Sequence, residues 1–82
     1  PDILRDVLAA IHNGNAIQVI YQSMSRPEPA SRWIEPYALA DDGFRWHARA
    51  YCRNDKIFKD FLISRIDNIT MSEPRTVDPL MD

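Results

Sequence analysis

The sequence predicts a mainly β, α+β domain. One N-terminal helix is followed by five short antiparallel strands that curl into a small barrel. Three observations carry this expectation. Apolar residues recur at helical spacing only up to His12 and switch to a period of two from Ala16 onward. The stretch from Phe44 to Cys52 alternates almost without fault. Short turn signals separate the strands, and one strand contains a proline that bends it. Five antiparallel strands with a bent member curl readily, which removes exposed edges.

The helix is expected from Pro1 to His12, with Ile3, Leu4, Val7, Leu8 and Ile11 as its apolar stripe. Asp2 suits its first turn, and Gly14 is placed for a left-handed cap. Ala16–Ser23 reads as the first strand, apolar in part on both faces. Met24–Ala30 is a loop, because Pro27 and Pro29 remove backbone donors. Ser31–Ala40 reads as a second strand, bent, bulged or at an edge near Pro36. Asp41-Asp42-Gly43 makes a tight hairpin into the strand that ends at Cys52. Arg53–Lys56 turns the chain into Ile57–Ile63, and Ser64–Met71 carries the last strand. The organisation expected is a helix over residues 1–14, a barrel over 15–71 and an exit linker over 72–82.

The 82 residues make one small domain, 45% hydrophobic and 27% charged, as in ordinary globular proteins. A net charge of -2 argues against a non-specific coat for nucleic acid, though not against a local basic patch. The lone cysteine, Cys52, can form no internal disulfide, which fits a reducing cytoplasm. No apolar run reaches membrane-spanning length and no signal peptide is visible. The start at Pro1 suggests a piece cut from a longer protein.

The alternating stretch divides its residues by face. Phe44, Trp46, Ala48, Ala50 and Cys52 are expected in the core, together with Phe61 and Leu39. Arg45, His47, Arg49 and Tyr51 form a polar row on the other side, held rigidly by the apolar one. Taken alone, the arginines read as a solvated strand face and His47 as a surface histidine. Arg32 has Glu28 or Glu35 as ion-pair partners, and Arg65 has Asp60 or Asp67. Trp33 is expected in the core or at an interface. No carboxylate pair, glycine-rich loop or metal-ligand cluster has the spacing catalysis or metal binding requires, and Cys52 and His47 lie on opposite faces. The expectation is no enzyme, no metal and no cofactor.

Four separated blocks, Tyr21-Gln22-Ser23, Arg32 to Leu39, Arg45 to Cys52 and Phe61 to Ile66, together resemble the WYL domain, over roughly Ala16 to Thr70. The triplet that names that family reads Trp46-His47-Ala48 here. With the following Arg49-Ala50-Tyr51, it resembles the subgroup of WYL regulators associated with bacterial phage-defence islands. The resemblance implies an Sm-like or SH3-like barrel, lying between a winged helix-turn-helix and a C-terminal extension. It implies a sensor of a nucleotide-like or single-stranded nucleic acid effector, acting in a homodimeric transcription regulator, commonly a repressor. Duplex DNA would then be read by the attached domain alone. The family's ligand-facing set falls on Tyr21, Ser23, Arg32, His47, Arg49, Tyr51 and Arg65, leaving Arg45 and Arg53 peripheral. Arginine forks suit phosphate, hydroxyls suit phosphate or sugar oxygens, and aromatic rings suit bases. Two other readings compete: a direct Sm-like binder of single strands, and a structural dimerisation module.

Overall fold

The computed structural model describes residues 2–82. Helix α1 covers Ile3–Asn13. The Asp2 carboxylate accepts the Arg5 N–H at its start, and Gly14, at φ 67°, closes its end. The Pro1 of the expected helix start lies outside the described residues. The buried face is turned from the expected stripe: Val7 and Ala10 are inside and Leu8 is exposed.

Five strands follow: β1 Asn15–Tyr21, β2 Ala30–Asp41, β3 Trp46–Cys52, β4 Ile57–Leu62 and β5 Ile66–Pro74. A single 3-10 turn, Ile63–Arg65, joins the last two. All pairings are antiparallel, in the order β4-β3-β2-β1-β5. Strand β2 changes partner in its middle. Ala30–Ile34 pairs with β1, whereas Ile34–Asp41 pairs with β3. The register slips between Pro36 and Ala38, leaving Tyr37 without a cross-strand partner. The proline therefore produces a bulge inside the sheet, where β1 no longer needs its missing N–H.

The sheet curls on itself but is not closed, for no strand pairing joins β4 to β5 among the described residues. The Leu62 N–H on β4 donates to Tyr21 Oη on β1, 3.1 Å away, although two strands separate them in the sheet. Phe61 meets the Tyr21 ring edge-on, with centroids 5.1 Å apart. The core between them holds Ile17, Val19, Ile34, Ala48, Ala50, Cys52 and Ile66, with Val7 and Ala10 of α1 packed on it.

Two further expectations change. Phe44 and Trp46 do not enter the core: they are 93% and 44% exposed. β3 begins only at Trp46, so the sheet offers nothing to cover them, and Leu39 only flanks the core. The chain beyond Met71 does not leave the sheet at that point. β5 runs on to Pro74, and the Arg75 N–H donates to the Gly14 carbonyl.

Candidate functional site

Strand β3 alternates as expected. Ala48, Ala50 and Cys52 are buried, while His47, Arg49 and Tyr51 lie half-buried on the outer face. The register places Asp60 across from Arg49 and Phe58 across from Tyr51. Tyr37, released by the β2 bulge, joins this face. Its ring meets Phe58 edge-on with centroids 6.0 Å apart, and Tyr51 meets Phe58 at 5.3 Å. The result is an aromatic group beside one guanidinium.

That guanidinium is already engaged. Arg49 Nε and Nη2 donate to the two oxygens of Asp82 at 2.8 and 2.9 Å, and Nη1 donates to Asp60 at 3.4 Å. The Tyr37 hydroxyl donates to the same Asp82 carboxylate. This is the two-pronged geometry by which arginine holds an oxyanion. Arg49, foremost, and Tyr37 hold the Asp82 carboxyl down at about 2. His47 stands nearby, its Nε2 2.9 Å from Asp42. Asp42 also accepts the N–H groups of Phe44 and Arg45, which ties down the hairpin tip.

A depressed carboxyl stabilises the fold above its ordinary range and loses that contribution as pH falls through the depressed value. We therefore expect Asp82 to titrate near 2 by carboxyl-detected NMR. In Arg49→Ala it should return towards the ordinary aspartate range. An unchanged Asp82 in that variant would show that the pair is not formed in solution.

The other expected residues lie elsewhere. Arg32 is on the core side of the sheet, its side chain 11% exposed. Its Nη1 meets Asp55 at 3.2 Å and Cys52 Sγ at 3.8 Å, and its buried Nε has no partner among the described residues. It pairs with neither Glu28 nor Glu35. A cavity of about 90 Å³ opens beside it, lined by Arg26, Ala30, Ser31, Asn54 and Asp55. Arg65 Nη1 donates to the Gln22 carbonyl, not to Asp60 or Asp67. Ser23, next to Gln22, shares a hydrogen bond with Ser25. Tyr21 is a core residue whose hydroxyl is taken by Leu62. The structure thus brings His47, Arg49 and Tyr51 onto one face, with Ser23 and Arg65 at a second place and Arg32 at a third.

Sequence reasoning missed Tyr37 and Asp82 on this face, and the structural weight of Glu35 and Arg53. Glu35 is 3% exposed. Burial pushes its carboxyl up, but Arg53, the N–H groups of Val77 and Thr76 and the Thr76 hydroxyl outweigh that and bring it below its usual value. Arg53 also donates to Glu73 and lies over the Trp33 ring at 5.2 Å. The bulge after Pro36 was the one signal that could have pointed to Tyr37.

The family model described as "WYL domain" matches residues 2–71. The chain belongs to the WYL family. Among curated proteins, the DNA-binding transcriptional repressor CapW of Stenotrophomonas maltophilia is 44% identical over 82 residues, 99% of this chain and 27% of that protein. CapW of Pseudomonas aeruginosa is 48% identical over 65 residues, 79% of this chain and 22% of that protein. The chain therefore spans about a quarter of the length of these WYL relatives. Among solved structures, the proteasome accessory factor B/C (PafBC) of Arthrobacter aurescens superposes with a TM-score of 0.75 at 26% identity. The match covers 93% of this chain and 12% of that one. No helix among the described residues is long and apolar enough to cross a membrane.

Proposed function

We infer that this WYL domain is the sensor of a bacterial transcription regulator. It binds an anionic effector, a nucleotide or a short single strand, and thereby sets duplex binding by a winged helix-turn-helix domain elsewhere in a homodimeric, cytoplasmic repressor. The similarity to the CapW DNA-binding transcriptional repressors supports the repressor part. The curled five-strand sheet supports the Sm-like description. The observation that carries the sensor part is the Arg49 fork, which receives two oxygens of one carboxylate beside Tyr37, Tyr51 and Phe58. A guanidinium next to aromatic edges suits a phosphate joined to a base. His47 and Tyr51 complete this face. Ser23 and Arg65 are contacts for a longer ligand, and Arg32 and Tyr21 support the site from the core side of the sheet. The effector acts by binding one arrangement of the dimer more tightly than the other.

The test is calorimetric and thermal titration against short single strands, cyclic oligonucleotides and mononucleotides, with Arg49→Ala and Arg32→Ala alongside. A ligand present at 100 times its Kd should stabilise the wild type by about 2.7 kcal/mol. Arg49→Ala should abolish that gain. Loss in Arg32→Ala alone would move the site to the cavity beside Arg32, and no binding by any protein would leave a structural module.

A further inference from the structure

The Arg49 fork is occupied by the protein itself. Residues 75–82 run back over the outer face as a strap. The Arg75 N–H is tied to Gly14, and the Thr76 and Val77 N–H groups donate to buried Glu35 on β2 at 3.0 and 2.8 Å. A short 3-10 turn, Pro79–Met81, then delivers Asp82 to Arg49 on β3. The two ends of the strap are held differently. The near end is anchored on a carboxylate that is almost fully buried. At the far end Leu80 and Met81 are exposed and only Pro79 of the turn is half-buried, so the contacts to Arg49 and Tyr37 are its main hold. The Arg49 side chain is 37% exposed, so an oxyanion arriving from solvent can compete with Asp82 for the same donors.

We propose that Asp82 is a built-in competitor of the effector: its carboxylate stands where an oxyanion of the ligand binds, with Tyr37 as the second donor to that oxyanion, and ligand entry lifts the end of the strap. This rests on the sensor reading of Arg49 and adds a binding residue, Tyr37, and a means of regulation. Two oxygens of a phosphate match the fork as two oxygens of the carboxylate do. Occupation of the fork by Asp82 lowers apparent affinity by the fraction of time the fork is free. By reciprocity the ligand releases the strap by the same factor. The contacts that keep the fork shut thus also link its occupancy to the position of the chain that follows β5.

The experiment is isothermal titration of the protein with 5′-phosphorylated tetradeoxythymidylate at fixed ionic strength. Wild type, Asp82→Ala, Arg49→Ala and the double variant are compared. A strap docked about nine-tenths of the time predicts that Asp82→Ala binds about 10-fold tighter than wild type. Arg49→Ala and the double variant should bind equally weakly, since Asp82 competes only for Arg49. In the wild type, the NMR-detected titration of Asp82 should move from about 2 towards the ordinary range when the oligonucleotide saturates the protein. Equal or weaker binding by Asp82→Ala, with binding still lost in Arg49→Ala, overturns the strap and leaves the sensor reading standing. Absence of binding by all four proteins overturns both.

Discussion

Glu35→Ala should destabilise the domain by about 3 kcal/mol, the usual consequence of removing one partner from a buried ion pair. For a domain of this size that is a fall in Tm of roughly 12–24 °C. The Glu35 side chain accepts four hydrogen bonds from the Thr76 and Val77 segment and from Arg53. Removing it leaves a half-buried guanidinium with one remaining carboxylate partner, Glu73, and frees the near end of the strap. Glu35→Gln keeps an acceptor and should lose about half as much, since hydrogen bonds to charged groups are stronger than neutral ones. The sign with pH follows from the depressed carboxyl. Its stabilisation is full above the ordinary glutamate range and declines as pH falls, so the gap between wild type and Glu35→Ala should narrow in acid. Urea unfolding at several pH values measures this. A loss below about 1 kcal/mol at neutral pH would mean that water replaces the carboxylate without penalty.

Phe61→Ala should be harsher still, about 3–5 kcal/mol. Its ring is 1% exposed and packs edge-on against Tyr21, where the edge strand β4 curls back over β1. The cavity would open between β1 and β4, which no backbone pairing ties together, so little holds the curl while the site relaxes. Small domains have only about 5–15 kcal/mol in total, so this variant should lose a large share of its stability. Circular dichroism with urea titration checks it. A loss under about 1.5 kcal/mol would show that Tyr21 and the 3-10 turn collapse into the space.

The helix, the five strands and an irregularity at Pro36 were legible because each is written in local pattern, though the sequence left open whether that irregularity was a bend, a bulge or an edge. The alternation from His47 to Cys52 also sorted core from outer face correctly, which placed Arg49, His47 and Tyr51 together. The same alternation misplaced Phe44 and Trp46. It says which side a residue faces, not whether another layer lies there, and the strand starts only at Trp46. Partners across long stretches of chain were not legible either. Arg53 reaches Glu35 diagonally across the β2–β3 register, and Arg32 reaches Asp55 in the turn after β3, placements set by strand pairing and not by any local motif. Asp82 lies 33 residues from Arg49 in sequence, and nothing in the spacing links them.

The single thiol of Cys52 is fully buried on the core side of β3, within 3.8 Å of Arg32. It gives the domain a native clock. A thiol-reactive reagent can reach Cys52 only while the sheet is open, so the rate of its modification counts opening events, with no engineered label and no second cysteine to confuse the count.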